Sequence, residues 1–395
     1  MAKSNNPSVS SKVQLGEVVV LRLDGLDSLV ARLTALGFET KGPVVRDGAV
    51  VPGPITGVAD LPVGVHDEQA PGSYRLTRGD DGRLFDWAVG PGSWKAEFFP
   101  PSQEVWRAVK VGDSMQFTES APLAPLAIVG ARPCETAALD VLDRVLKDGA
   151  HRDPVYADRR EGAFVAVVEC ATPASTCFCS SMGTGPGIEG GFDLALTEID
   201  DARGHRFVVR AGSDAGVEVL SVLAHEEALD EDLEARGRVL DQAAARMGRQ
   251  LQTEGLASLL ARNVEHPRWA DVAERCLSCA NCTLVCPTCF CSDVRDTSDL
   301  DGTLERRRVW SSCFDLEHSY LHGGAVRTSA SSRYRQWMTH KLSTWWDQFD
   351  TSGCVGCGRC IAWCPVGIDI TEEAAFIAAS DGATPANAVS KASAP

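Results

Sequence analysis

The chain has 395 residues, 44% of them hydrophobic and 23% charged, and a formal net charge of −16. That length predicts two or three domains, and no apolar run approaches the 18 residues a membrane span needs. So acidic a surface repels a phosphate backbone, and the one short basic run, Arg306–Arg307–Arg308, reads as a solvated face, so no nucleic-acid partner is expected.

The opening MAKSNNPSVSSK lacks the apolar stretch of a secretory signal, which predicts a disordered tail over residues 1–13 and a cytoplasmic location. VVVLRL (18–23) reads as a strand, and LDSLVARLTALGF (26–38) has helical spacing with a glycine stop. Short strands follow in YRLTR and RLFDWAVG. LAIVGARPCETAALDVLDRVL (126–146) reads as a buried strand, a turn at Arg132–Pro133–Cys134, then an amphipathic helix. FVAVVEC (164–170) is a second buried strand, and DLALTEI and RFVVRAG supply two more. Residues 14–224 therefore read as an α/β domain. Cys134 and Cys170 fall at C-terminal strand ends, where such sheets assemble ligand sites.

Beyond residue 225 the character changes. Leu229, Leu233, Leu240, Met247 and Leu251 trace one apolar face of a long helix. From there to residue 380 the pattern is helices and cysteine loops with little strand signal, and residues 381–395 read as a second disordered tail. The fold class expected is α+β: an N-terminal α/β domain, then a mainly helical, ferredoxin-like domain.

Fifteen cysteines in a chain without a secretion signal point to metal binding or redox chemistry, because a reducing cytosol does not maintain disulfides. Cys276, Cys279, Cys282 and Cys286 precede Pro287; Cys354, Cys357, Cys360 and Cys364 precede Pro365. Both runs spell C-x₂-C-x₂-C-x₃-C-P. Two intervening residues let a tight loop set three sulfurs on three corners of one cubane, and the fourth cysteine serves the other cluster. Applied here, Cys276, Cys279, Cys282 and Cys364 hold one [4Fe-4S] cluster, and Cys354, Cys357, Cys360 and Cys286 hold the second. Structural zinc prefers paired knuckles closed at four ligands, which two identical quartets fit poorly. Trp337, Trp345, Trp346 and Trp363 are candidates for apolar cover over the pair. Arg275 and Arg359, beside ligands, would either favour the reduced state by their charge or face solvent.

Cys134, Cys170, Cys177 and Cys179 match the ligand count of a third [4Fe-4S] cluster, but their spacing fits no standard template, and buried free thiols are common. Cys289, Cys291 and Cys313 read as packing residues. Gly185–Pro186–Gly187–Ile188–Glu189–Gly190 satisfies G-x-G-x-x-G on paper but sits in a Gly/Pro-rich loop, so no nicotinamide site is expected on this chain. His318 and His322 are spaced to share a helical face, without a third ligand. No catalytic motif is present, so the chain is expected not to be catalytic alone.

GARPCETAALDVLD, ECATPASTCFCSSMGTGP, RCLSCANCTLVCPTCFC and RYRQWMTHKL…GCVGCGRCIAWCPVGIDI together resemble the β subunit of cytosolic NADP-linked sulfhydrogenases, the bidirectional [NiFe] hydrogenases, and are similar to the electron-transfer subunit of anaerobic sulfite reductase. The resemblance implies a soluble complex. A flavin/NADP(H)-binding subunit would feed single electrons through this chain to a small subunit, which passes them on to a nickel–iron large subunit. In the sulfite reductase alternative the acceptor would be a sirohaem subunit. A third reading, a self-contained iron–sulfur flavin reductase, finds no catalytic motif to support it. The family's dicluster ligands carry over onto the eight cysteines named above.

Overall fold

The computed structural model describes residues 12–118 and 123–382. Most of both expected tails lies outside these residues. Of their inner ends, Val13 is buried and Asp381 bonds to Arg262 and Asn263.

The strands are β1 (Val18–Leu21), β2 (Glu39–Arg46), β3 (Ala49–Pro54), β4 (Val65–Ala70), β5 (Ser73–Arg78), β6 (Ser102–Val111), β7 (Ser114–Thr118), β8 (Leu126–Ala131), β9 (Phe164–Val168), β10 (Leu194–Ile199), β11 (Arg206–Ala211), β12 (Glu226–Glu227), β13 (Ser292–Ser298) and β14 (Leu304–Trp310). Eight of them form one mixed sheet in the order β12-β1-β11-β10-β9-β8-β2-β3. Its centre is parallel: β2 with β8, β8 with β9, and β9 with β10. Strands β8, β9 and β10 are buried at every position, which explains the unbroken apolar runs of β8 and β9.

Alternation along β8 assigns the two faces. Ala127 and Val129 join Leu26, Leu29 and Leu33 of the helix Leu23–Ala35 on one side. Leu126 and Ile128 join Leu139 and Leu142 of the helix Pro133–Leu146 on the other. Because β8 and β9 run parallel, their following residues, Cys134 and Cys170, emerge at the same edge of the sheet.

The segment RLFDWAVG forms no strand. Its backbone donors are taken by a side chain instead: Leu84 N and Phe85 N bond to the two oxygens of buried Glu198, at 2.7 and 2.8 Å. Arg132, also buried, donates to the carbonyls of Phe85 and Trp87, both at 2.6 Å, and so fixes this irregular stretch against the sheet edge.

The helix beyond residue 225 departs from the expected apolar face. It spans Asp230–Ala245 and stops short of Leu251; Leu229 and Leu233 are 49% and 44% exposed. Ion pairs dock it. Buried Asp232 meets Arg203 and Arg206, each at 2.8 Å, and Arg236 meets Glu169 at 2.6 Å. Hydrophobic periodicity cannot register an attachment made by charges.

The cysteine-rich half also holds more strand than expected. Strands β13 and β14 form a hairpin, and β14 pairs with β6, giving a second sheet of order β13-β14-β6-β7 that draws on both halves of the chain. Most of its side chains are wet, so SDVRDTS shows no burial alternation to read. The Arg306–Arg308 run lies on β14 and is paired: Arg306 with Asp296, Arg307 with Glu305, Arg308 with Asp153. The rest of this half packs as helices around a core that includes Trp269, Tyr334, Trp337, Leu342, Ile361 and Ile377, with Phe178 contributed by the first half. Among the described residues no helix is long and apolar enough to cross a membrane.

Candidate metal centre

The two cysteine motifs share one backbone conformation. The residue two beyond the first cysteine has positive φ in both (Ser278, 51°; Gly356, 65°), and so has the residue four beyond it (Ala280, 65°; Gly358, 73°). In each loop the amide at the first of these positions points at the opening sulfur: Ser278 N to Cys276 Sγ at 3.4 Å, Gly356 N to Cys354 Sγ at 3.5 Å. A one-turn helix then follows, Asn281–Leu284 or Arg359–Ala362, and carries the chain to the fourth cysteine. The loops are bound to each other through Asn281 Nδ2 and Trp363 O at 3.3 Å.

Cys276, Cys279, Cys282 and Cys364 line one cavity, which encloses about 420 Å³ with its open mouth included. Phe314, Tyr334, Trp337 and Ile368 wall it, and Cys360 touches it from the second motif. Cys279 is exposed at the surface. Tyr334 Oη and Trp337 Nε1 are buried donors with no partner among the described residues, as expected of groups that serve acceptors inside the cavity. Burial and then the Cys276, Cys364 and Cys279 thiols push the Cys282 thiol well above its ordinary value. Thiolates crowded in this way repel one another unless a cation sits among them, so the donor set fits an iron–sulfur cluster.

Cys354, Cys357, Cys360 and Cys286 form the second group. Burial and then Cys354, Cys357 and Cys286 push Cys360 well up, and burial raises Cys354 to about 12. Cys286 goes the other way. The Cys289 thiol donates to it, and the Lys341 ammonium lies 3.2 Å from its sulfur. A groove reaches Cys354, with half-exposed Trp346 on its lining.

Cys134, Cys170, Cys177 and Cys179 lie against this second group. Burial raises Cys134, and Cys179 and Cys357 raise it further; burial raises Cys177, followed by Cys179 and Cys170. Phe178 N donates to Gly356 O at 2.8 Å, and Thr184 Oγ1 to Val355 O at 2.7 Å. The structure thus gathers these four thiols beside the second motif. The glycine run after them is followed by strand β10 rather than a helix.

Other expectations resolve individually. Cys291 neighbours Cys313 and His318, and the Cys313 thiol, then His318, hold Cys291 down at about 4. His318 lies in the short turn Glu317–Ser319, ahead of the two-residue strand Tyr320–Leu321, so it shares no helical face with exposed His322. Trp337 and Trp345 are buried, and Trp363 packs at a tilt against Tyr74 with ring centroids 5.2 Å apart, whereas Trp346 is half exposed and gives little cover. Arg275 and Arg359 are both neutralised, by Glu373 at 2.6 Å and Glu135 at 2.5 Å. Sequence reasoning passed over the cation in hydrogen-bond contact with a ligand sulfur, Lys341. A lone lysine in MTHKLST carries no motif.

Comparison with known proteins agrees with this geometry. The family described as "4Fe-4S dicluster domain" matches residues 275–368. The chain is 34% identical over 245 residues to "Sulfhydrogenase 2 subunit beta" of Pyrococcus furiosus, a match covering 61% of this chain and 71% of that protein. No solved structure matches.

Proposed function

This chain belongs to the sulfhydrogenase β-subunit family, and from that premise we propose that it relays single electrons from a flavin/NADP(H)-binding subunit to the small subunit of a cytoplasmic [NiFe] hydrogenase. Its iron–sulfur electron-transfer role follows from the family and the dicluster domain. The finer reading assigns Cys276, Cys279, Cys282 and Cys364 to a first [4Fe-4S] cluster and Cys354, Cys357, Cys360 and Cys286 to a second. Cys134, Cys170, Cys177 and Cys179 are assigned to a third. The two carriers of the dicluster pair sit in residues 225–380, and the third borders them from residues 14–224. The observation that carries this is the repeated loop, with positive φ at matching positions and an amide aimed at a sulfur in each copy.

A bound [4Fe-4S] cluster supplies reversible one-electron chemistry and no bond-making step. The chain's own residues supply the rest. Tyr334 and Trp337 offer hydrogen-bond donors and exclude water from the first site. Lys341 places a donor on Cys286 of the second. Because Cys360 touches the first cavity as well, the two sites share a wall and lie close enough for sequential transfer.

Anaerobically purified protein is expected to contain iron and inorganic sulfide. Cys279→Ser and Cys357→Ser should each remove one cluster's worth, about four irons. Replacing Cys134, Cys170, Cys177 and Cys179 together should remove about four more. An unchanged count in that last variant eliminates the third site; colourless, sulfide-free wild-type protein eliminates the whole reading.

A further inference from the structure

Lys341 is buried at 6% exposure, and its Nζ donates to Cys286 Sγ at 3.2 Å, Thr288 Oγ1 at 3.0 Å and Gly353 O at 2.8 Å. An ammonium has three protons and no acceptor capacity, so three acceptors saturate it as a charged group. The site is built to hold it. The helix Ala330–Thr339 widens into a π-type turn over His340–Thr344, and Lys341 lies in that turn. Such turns inside helices are frequent at functional sites. Gly353 N bonds back to Lys341 O at 2.8 Å, and Thr288 Oγ1 also donates to Gly353 O at 2.7 Å, which closes the cradle.

No carboxylate pairs with Lys341 among the described residues. Arg275 and Arg359, which adjoin ligands in sequence, both carry carboxylate partners. The first cavity is faced by the neutral donors Tyr334 and Trp337. A second buried ammonium, Lys95, bonds to Cys289 O at 3.1 Å and lies over Trp310, on the Cys286 side of the molecule. Buried Arg333, also without a carboxylate partner among the described residues, reaches the first loop at the Ser278 hydroxyl, 3.2 Å away, whereas Lys341 bonds directly to a ligand sulfur. A buried charge is tolerated only where an opposite charge answers it, and at Lys341 the sulfur of Cys286 is the group in contact.

We propose that Lys341 sets the order of the two potentials, making the cluster that includes Cys286 the more easily reduced of the pair. Reduction adds one negative charge, and a fixed positive charge on a ligand sulfur, in a site of low effective dielectric, favours the state that has gained it. At the other site the unpaired cation, Arg333, bonds to the Ser278 hydroxyl rather than to a ligand sulfur. An electron entering the pair then comes to rest on the Cys354/Cys357/Cys360/Cys286 cluster, next to the Cys134–Cys179 thiols. Lys341 is a positioning residue in this sense: it selects where the electron waits. The inference rests on the assignment of Cys286 to that cluster.

The test is an EPR-monitored redox titration of the full-length, cluster-loaded chain as wild type, Lys341→Met and Lys341→Arg. In Lys341→Met one midpoint potential should fall by at least a tenfold change in the one-electron equilibrium, about 59 mV, while the others stay in place. Lys341→Arg, which keeps the charge, should stay near wild type. Unchanged potentials in Lys341→Met, an equal fall at both dicluster sites, or an equal fall in Lys341→Arg each overturn the proposal. If the Met variant does not load, Lys341→Gln keeps a donor while removing the charge. The same single fall is expected of it, and wild-type potentials there overturn the idea. Wild-type protein with no cubane signal refutes instead the dicluster assignment beneath it.

Discussion

Arg359 sits between two ligand cysteines in sequence, yet it acts on the other half of the molecule. Its guanidinium is 1% exposed and donates to Gly90 O at 2.7 Å, Gly92 O at 3.0 Å and Glu135 at 2.5 Å. Glu135 lies in the first turn of the helix that carries Cys134, and its second oxygen accepts from Arg132 N at 3.1 Å. One carboxylate therefore neutralises a cation beside the second site and caps a helix of the α/β half. Glu135→Gln would leave a buried guanidinium unanswered, which typically costs about 3–5 kcal/mol. A lower apparent melting temperature is expected in scans at fixed rate. The freed positive charge lies next to Cys357, so the potential of that site should rise, opposite in sign to the effect of Lys341→Met. A variant as stable as wild type, with potentials unmoved, would show that the pair contributes neither effect.

At the level of elements, the two cysteine loops answer the same geometric demand with different residues. A non-glycine residue in the left-handed region costs about 1–2 kcal/mol. The first loop accepts this at Ser278 and Ala280, while the second uses Gly356 and Gly358. The reason lies across the seam. A Cβ on Gly358 would fall 2.4 Å from Thr176 O, and one on Gly356 would fall 2.6 Å from the Phe178 carbonyl. Gly358→Ala should therefore lower both melting temperature and iron content. Ala280→Gly should change little, since relief of strain is offset by about 0.5–1 kcal/mol of extra chain entropy. Equal effects from the two substitutions would contradict this account. The cysteine spacing made these loops legible because cluster geometry constrains every interval between ligands. Strands β8 and β9 were legible because burial on both faces leaves an unbroken apolar run. The hairpin β13–β14 and the docking of the helix Asp230–Ala245 were not, since β13 keeps its side chains in water and the helix is held through Arg203, Arg206 and Arg236, with apolar contact only from small side chains such as Ala235 and Val239. Lys341 depends on a π-type turn, which no residue pattern announces.

Across the whole molecule, the two sites differ in which part of the chain shields them. The first is walled by Phe314, Tyr334 and Trp337, all from the cysteine-rich half, and opens to solvent at Cys279. The second presents Cys354 to a groove and is covered by the α/β half as well as by Lys341 and Trp345 of its own half. Phe178 N binds Gly356 O, Gly72 N binds Ile361 O at 3.1 Å, and the Phe178 ring is buried in the core of the cysteine-rich half. Loss of the clusters to an iron chelator should therefore be biphasic, with the Cys279 site lost first, as followed by EPR amplitude over time. Phe178→Ala removes a buried ring at a typical cost of about 3–5 kcal/mol and loosens the cover over the second site, where the Phe178 amide binds Gly356 O, more than over the first. It should accelerate the slow phase more than the fast phase. A single phase in wild type, or a larger acceleration of the fast phase by Phe178→Ala, would mean that the seam between the halves does not protect the inner site. In that case the more easily reduced cluster would have no better shelter than the outer one, and electrons held there would be as open to adventitious oxidants as those at the surface.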